Sequence, residues 1–208
     1  ELHATEIKQQ QQTPGQWRCV ICGYVHKDTG PPDVCPVCAA SADDFEPEET
    51  VDTHFSCGTK SKHKIMIVGG GIAGVSAAEH ARKTASDAEI HLYSKESELP
   101  YYRLNLTRYL AAEIGYDSLP IHPQQWYDEQ HIHLHQGIEV AAINPNAHTL
   151  ELSGGQIESY DKLILACGAH PFIPPIPGAQ KSGVTAVRTR QDVDTLAAMI
   201  GNGTPCVC

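Results

Sequence analysis

Four cysteines in two closely spaced pairs constrain the fold of this chain more than any other feature. Cys19 and Cys22 are separated by two residues, Cys35 and Cys38 likewise, and twelve residues lie between the pairs. This spacing allows two short loops to present four thiolates to one metal ion, with backbone N–H groups directed at the sulfur atoms. Disulfides within the pairs would restrain the unfolded chain very little, so we predict a metal site. A tetrahedral cage of thiolates suits both zinc and iron.

The composition limits the partners that the chain can have. A formal net charge of -10 at pH 7, without clustered Lys and Arg, argues against nucleic-acid binding, which needs basic side chains to neutralise phosphates. No apolar run approaches the roughly 20 residues of a membrane-spanning helix, so we expect no membrane partner. The 8 cysteines follow no signal peptide, which predicts a reducing, cytoplasmic compartment. Acidic residues crowd the first cysteines and would suit a basic partner surface.

A glycine-rich turn begins the longer C-terminal region. Apolar residues 64–68 predict a strand, residues 69–74 match the pattern G-x-G-x-x-G, and residues 72–83 have helix-forming character. A turn in this context places a helix N-terminus against the pyrophosphate of a bound dinucleotide, with glycines where the backbone must turn, approach phosphate or pack closely. We therefore predict that this turn supplies five cofactor-binding residues: Gly69, Gly71, Ile72, Ala73 and Gly74.

The second strand predicts where the ribose of that dinucleotide binds. Residues 90–93 are the strand, and they complete a βαβ unit of a parallel sheet. An acidic residue about 20 positions beyond the glycines is expected to contact the adenosine ribose. Glu96 is our candidate, although Ser94 stands at the strand end, where an acid is more usual.

The rest of the chain continues as an α/β protein. A glycine pair, Gly154-Gly155, predicts a hairpin between two short strands. His131, His133 and His135 alternate along a predicted strand, and because three histidines on one strand are too collinear to surround a metal, we interpret them as a polar strand face. The further predicted elements are helices over 104–112, 123–130 and 192–200 and strands over 132–134, 139–143, 149–152, 156–158 and 163–166.

These patterns divide residues 1–200 into four segments. Gln-rich residues 1–13 are expected to be a disordered arm, and an acidic, polar stretch over 51–62 is expected to be a linker. The cysteine module occupies 14–50 and the dinucleotide-binding region 63–200. Both ends of the chain look cut, so we expect a truncated protein.

The cysteine module resembles a rubredoxin of the short-loop kind found in rubrerythrins. The resemblance rests on residues 17–24 (Trp-Arg-Cys-Val-Ile-Cys-Gly-Tyr), 35–38 (Cys-Pro-Val-Cys) and 44–46 (Asp-Phe-Glu). It implies that the four cysteines hold one iron ion, which favours iron over zinc here. Ala39 departs from the family, which usually has glycine at that position.

Residues 64–190 resemble the N-terminal part of the flavoprotein family with two dinucleotide domains, which includes NADH:rubredoxin reductases, NADH oxidases and the flavin portion of assimilatory nitrite reductases. The resemblance also rests on segments 99–107, 160–169 and 174–178. It implies FAD in this chain, NAD(P)H in the full-length protein, and residues 201–208 as the start of a nicotinamide-binding domain. It further implies cofactor contacts from three residues: Arg103, Ala166 and Gly168.

Two departures from this family affect the chemistry. Cys167 replaces the usual threonine of an Ala-Thr-Gly turn, and Asn105 stands near the place where some relatives have a catalytic cysteine beside the flavin. We therefore assign no catalytic side chain in this chain and disfavour thiol-coupled reduction of disulfides or peroxide. The expected fold class is α/β, a partial Rossmann-like FAD-binding domain preceded by a small rubredoxin-like module.

The combined patterns predict an electron-transfer flavoprotein oxidoreductase. Electrons would pass from NAD(P)H through FAD to the rubredoxin-type iron and onward to a redox partner protein or terminal acceptor. An alternative treats the cysteine module as a zinc ribbon used for docking, fused to an NADH oxidase or a nitrite-reductase-type flavoprotein.

Overall fold

A computed structural model describes residues 15–48 and 63–201 of the chain. The predicted arm over 1–13, the linker over 51–62 and nearly all of the segment 201–208 lie outside the described residues, as does Cys57. The chain divides into two compact units, with the division between Asp52 and Thr53. The part of the chain that the structure describes has no helix long and apolar enough to cross a membrane.

The first unit is a small three-stranded antiparallel sheet. Its strands are β1 (Trp17–Cys19), β2 (Val25–His26) and β3 (Phe45–Pro47), in the order β2-β1-β3. A 3-10 turn over Ala42–Asp44 leads into β3 and is closed by a capping box between Ser41 and Asp44. The buried apolar residues are few: Cys19, Cys22, Cys35, Val37 and Phe45. A core of this size needs a metal or another crosslink to be stable.

The second unit is built on a four-stranded parallel sheet. Its strands, in spatial order, are β10 (Lys162–Leu165), β4 (Lys64–Val68), β5 (Glu89–Ser94) and β6 (Ile132–Gln136). This sheet confirms the predicted βαβ unit and the α/β class. Parallel pairing aligns Ile65 of β4 with Ile90 of β5, and Ile90 with Ile132 of β6.

Two layers cover the two faces of this sheet. Helices α1 (Ile72–Thr84) and α3 (Gln124–Glu129) contribute Val75 and Tyr127 to a core with the side chains of one face. On the other face, Met66 and Tyr93 pack with Leu150 and Leu152 of an antiparallel meander. The meander consists of β7 (Val140–Asn144), β8 (Thr149–Leu152) and β9 (Ile157–Ser159). Alternating side-chain direction along each strand separates the two cores.

The predicted hairpin is present, whereas one predicted helix is shorter and composite. Gly155 has a φ of 80°, a conformation that suits glycine in the turn between β8 and β9. The helix expected over 104–112 is instead a 3-10 turn (Arg103–Asn105) followed by α2 (Leu106–Leu110). It ends early because Ala112 has a φ of 56°, which is incompatible with a continuing right-handed helix. The last helix, α4, spans Arg190–Gly201.

Candidate metal centre and nucleotide cleft

The four cysteines converge at one end of the small sheet. Cys19 ends β1, Cys22 follows in the adjoining loop, and Cys35 and Cys38 come from the second loop. The Sγ atoms of Cys19 and Cys38 are 3.7 Å apart, those of Cys22 and Cys35 are 3.6 Å apart, and all four lie within 4.8 Å of one another. A tetrahedral metal with bonds of about 2.3 Å to sulfur requires Sγ atoms about 3.8 Å apart. The donor set therefore fits one tetrahedral metal ion.

The two cysteine loops have the same backbone design. The Gly23 N–H donates to the Cys19 carbonyl at 2.9 Å, and the Ala39 N–H donates to the Cys35 carbonyl at 3.0 Å. The two turn-ending residues both have positive φ, 79° at Gly23 and 60° at Ala39. Alanine therefore occupies a left-handed position, which explains why glycine is usual there in rubredoxins and which costs roughly 1 kcal/mol.

Backbone N–H groups oppose the effect of burial on the pKa of the cysteine thiols. Burial raises the pKa of the Cys19 thiol, but the N–H groups of Cys22 and Ile21 outweigh it and lower the pKa overall. For Cys22 and Cys38 burial dominates and raises the pKa, with N–H groups of Tyr24 and Ala40 opposing it. Groups that favour the thiolate also favour a metal bound to it. The loops thus supply N–H groups that favour the thiolate form at sulfurs that are largely buried.

The glycine turn is packed tightly against the end of β10. Gly69 has a φ of 121°, and a Cβ atom there would overlap the carbonyl oxygen of Ala166. A Cβ atom on Gly74 would in turn overlap the carbonyl oxygen of Gly69. A Cβ atom on Gly71 would have nothing within 4 Å. Of the three glycines that the G-x-G-x-x-G pattern specifies, Gly69 and Gly74 are closed toward the protein and Gly71 is open, as the approach of a phosphate requires.

A cleft of about 350 Å³ opens beside this turn, at the carboxyl ends of the parallel strands. Helix α1 begins there with Gly71 as its N-cap, with no side-chain cap and no acidic residue in its first turn. Its first N–H groups can therefore donate to an anion. Among the predicted site residues, those that line the cleft are Gly69, Gly71, Glu96, Arg103, Ala166 and Gly168. Ile72, Ala73 and Gly74 lie behind them in the first turn of α1.

Glu96 is already engaged within the protein. One carboxylate oxygen pairs with the Arg103 guanidinium, and the other accepts a 2.5 Å hydrogen bond from the Tyr101 hydroxyl. Arg103 also donates to the Tyr101 hydroxyl at 3.1 Å and to the carbonyl of Arg188 at 2.7 Å. A ribose at Glu96 would have to share these oxygens, so the ribose role of Glu96 stays a prediction.

Arg188 is a cleft residue that the sequence interpretation missed. It lines the cleft beside Gly168, where a Cβ atom would lie 3.0 Å from its Nη2. A capping box between Thr189 and Asp192 starts α4 directly after it, and Asp192 also accepts the Arg188 N–H at 3.0 Å. The pattern Thr-Arg-Gln-Asp at 189–192 is a recognisable helix start, so the helix start itself was predictable. The position of Arg188 beside the cleft was not predictable from the sequence.

The histidines expected on one strand are joined by another from the next strand. His131 has a φ of 50° and precedes β6, whereas His133 and His135 lie on the strand. His91 Nδ1 and His135 Nε2 are 2.9 Å apart, and His91 Nε2 is 2.8 Å from Glu89. Within the described ranges, the four cysteines form the only cluster with three or more metal-ligating atoms in reach of one ion. The histidines are thus a hydrogen-bonded polar face.

Two family models match the two units separately. Residues 17–46 match the rubredoxin-like domain of rubrerythrin, and residues 63–202 match the pyridine nucleotide-disulphide oxidoreductases. The nitrite reductase [NAD(P)H] of Bacillus subtilis is 36% identical over 152 residues, which cover 68% of this chain and 19% of that protein. The rubredoxin-NAD(+) reductase of Pseudomonas putida is 32% identical over 133 residues, which cover 64% of this chain and 34% of that protein.

Solved structures agree with these matches. The NADH:rubredoxin oxidoreductase from Clostridium acetobutylicum is 28% identical with a TM-score of 0.61, over 68% of this chain and 36% of that one. Putidaredoxin reductase in its covalent complex with putidaredoxin is 30% identical with a TM-score of 0.60, over 67% of this chain and 34% of that one. The chain thus spans about a third or less of these relatives. It belongs to the pyridine nucleotide-disulphide oxidoreductases and carries a rubredoxin-like domain ahead of its Rossmann-like FAD-binding fold.

Proposed function

We propose that the protein transfers electrons from NAD(P)H through FAD to a rubredoxin-type iron and onward to a redox partner. The observation that carries this proposal is the presence of a tetrahedral thiolate cluster and a dinucleotide-type cleft in one chain. FAD, when bound, accepts the two electrons of a hydride and releases them one at a time, which a single iron requires. Neither site alone links a nicotinamide to a one-electron acceptor.

The cleft residues hold the cofactor in this proposal. The turn at Gly71 is open, and the first turn of α1, at Ile72 and Ala73, has no side-chain cap. Both features support a binding site here for a pyrophosphate, which would accept hydrogen bonds from the backbone N–H groups. Ala166 and Gly168 form the wall at the end of β10. Arg188 adds a positive charge beside this wall, and a guanidinium suits phosphate oxygens.

The cysteine module serves as the electron acceptor. Cys19, Cys22, Cys35 and Cys38 would hold one iron, and the similarity to rubredoxin-like domains supports iron over zinc. We place this module at residues 14–50, the linker at 51–62 and the FAD-binding region at 63–200. Tethering raises the effective concentration of one site for the other without any new contact.

The surface near the cysteines and the free thiol of the second unit support a partner and a compartment for this proposal. Val20 and Ile21, between two of the ligands, are 53% and 61% exposed and leave an apolar surface beside the cluster. Acidic residues surround it, which supports a redox partner protein with a basic face. Within the described residues, Cys167 is an exposed free thiol outside the four-cysteine cluster, which suits a reducing compartment such as the cytoplasm.

The geometry of the cluster also supports a second candidate. Sγ separations of 3.6 and 3.7 Å suit zinc as well as iron, and one relative is a nitrite reductase. In this case the module is a zinc ribbon for docking, and the flavin region serves a nitrite reductase or an NADH oxidase.

Metal analysis and reduction kinetics of the full-length protein test the two candidates. One equivalent of iron with a red chromophore that NADH or NADPH bleaches under anaerobic conditions is expected for electron transfer. Gly71→Val should remove the flavin and the bleaching but leave the oxidised iron spectrum unchanged. One equivalent of zinc, with flavin reduction intact, would instead establish the docking role.

A further inference from the structure

A buried tyrosine hydroxyl joins two residues of the nucleotide cleft to the first residue of α4. Tyr101 is 5% exposed, and its hydroxyl donates to Glu96 and accepts from Arg103 and from the backbone N–H of Arg190, the last at 3.0 Å. A hydroxyl has one hydrogen to donate and two lone pairs to accept with, so all of its hydrogen-bonding capacity is used. Burial and the Glu96 hydrogen bond both raise the pKa of Tyr101, which keeps the hydroxyl a donor.

The segment that this hydroxyl holds is the one that carries Arg188. The backbone carbonyl of Arg188 accepts a hydrogen bond from the Arg103 guanidinium, and the backbone N–H of Arg188 donates to the Asp192 carboxylate. Two residues further on, the backbone N–H of Arg190 donates to the Tyr101 hydroxyl. The backbone on both sides of the Arg188 side chain is therefore fixed. Its guanidinium lines the cleft, and the described residues give it no carboxylate partner.

The charges of Glu96, Arg103 and Arg188 indicate which arginine attracts a phosphate. The Arg103 guanidinium is neutralised by Glu96, so it offers little net attraction to a phosphate. Arg188 retains its charge on the cleft wall, next to the turn at Gly168. Because the backbone at Arg188 is already fixed, only the conformational entropy of its side chain remains to be lost when it binds an anion.

We propose that Glu96, Tyr101 and Arg103 are positioning residues that hold the backbone on both sides of Arg188, so that its guanidinium is presented to the phosphates of the bound dinucleotide. This inference rests on the proposed function of the cleft. It gives Glu96 a role other than contact with the ribose. The three residues act on the nucleotide through Arg188, and each is expected to matter only while that arginine is present.

A double-mutant cycle in the full-length protein tests this coupling through FAD affinity. Arg188→Met and Tyr101→Phe should each weaken FAD binding about tenfold, the effect of losing one charged or well-placed hydrogen bond. The double variant should bind no more weakly than Arg188→Met alone. If the double variant instead bound FAD about a hundredfold more weakly than the wild type, the two residues would act independently and the inference would be overturned. Arg103→Lys is a second variant for the same cycle, since lysine keeps the charge but not the planar fork.

Comparison of ADP with adenosine separates positioning from general destabilisation. Tyr101→Phe should weaken ADP about tenfold and leave adenosine unchanged, because only ADP carries the phosphates that Arg188 would contact. Equal weakening of both ligands would mean a merely structural role and would overturn the inference.

The ribose is tested with 2′-deoxy-ADP. If Glu96 does not touch the ribose, the ratio of affinities for ADP and 2′-deoxy-ADP should be the same in Glu96→Gln as in the wild type. If Glu96→Gln no longer distinguished ADP from 2′-deoxy-ADP, Glu96 would be a ribose ligand. That result would overturn the inference but leave the proposed function standing. If the wild-type protein bound neither FAD nor ADP, the proposed function would fall together with the inference.

Discussion

The backbone of Gly69 lies so close to that of Ala166 that a Cβ atom at position 69 would overlap the Ala166 carbonyl oxygen. The two residues follow β4 and β10, which are neighbours in the parallel sheet. Gly69 also has a φ of 121°, which L-residues rarely adopt. Close packing of the two strand ends therefore depends on the absence of one methyl group.

Gly69→Ala should destabilise the second unit by about 2–4 kcal/mol, because strain at φ and backbone overlap act together. Gly71→Ala is the matched control, since a Cβ atom there has no neighbour within 4 Å. Gly71→Ala should lower the free energy of unfolding by less than about 1 kcal/mol, which is the difference between glycine and alanine at an N-cap. Urea denaturation followed by far-UV circular dichroism measures both. Equal stability of the two variants would contradict the packing argument.

Ala39→Gly should stabilise the metal-loaded cysteine module by up to about 1 kcal/mol, because the φ of 60° is costly for alanine. Gly23→Ala makes the opposite change at the corresponding turn, where φ is 79°, and should destabilise by a similar amount. The rate of metal release to a chelator reports both changes. A slower release from Gly23→Ala than from Ala39→Gly would show that backbone conformation does not control this module.

Cys19→Ser and Cys38→Ser should each abolish tight metal binding and unfold the small module, because its core is too small to fold without the metal. Cys167→Ser is the control, since that exposed thiol lies in the second unit. Elemental analysis and tryptophan fluorescence of Trp17 follow metal content and folding. Full metal content in either ligand variant would exclude the four-thiolate site.

Acidification should weaken the second unit through the histidines of the parallel sheet. Burial lowers the pKa of His91, with the Glu89 hydrogen bond opposing it, and burial together with the neighbouring histidines lowers the pKa of His135. A lowered pKa means that the unfolded chain binds more protons. The stabilisation is therefore present above the unfolded pKa of about 6.5 and is lost as the pH falls below it.

His135→Gln measures this effect, since glutamine removes a titrating group but can still donate to His91. Also facing these rings are Lys64 and Glu158, which both forms of the protein retain. Between pH 7 and pH 5 the wild type should lose more stability in urea than His135→Gln does. Parallel losses in the two proteins would show that the histidine pair does not contribute.

The metal site was predictable because each half of it is local. The turn at Cys19–Gly23 and the turn at Cys35–Ala39 are each set by a few consecutive residues, so spacing alone indicates which sulfurs share a metal. The glycine turn was predictable for the same reason, since the strand, the glycines and the helix follow one another along the chain. Short apolar strands on either side of a helix likewise predicted the parallel sheet, and the glycine pair Gly154-Gly155 predicted the hairpin of the separate antiparallel meander.

The surroundings of the nucleotide cleft depend on contacts between residues that are distant in sequence. Arg103 meets the carbonyl of Arg188 across 85 positions, and His91 meets His135 across 44. No local pattern places an arginine that precedes α4 beside a turn that follows β10. These contacts depend on the pairing of the strands, on the path of the loops and on the packing of α4 against α2. Local chemistry thus determined which residues can bind a metal or a phosphate, and tertiary structure decided which charges are neutralised and which face the cleft, because electrostatic pairing depends on distance in space.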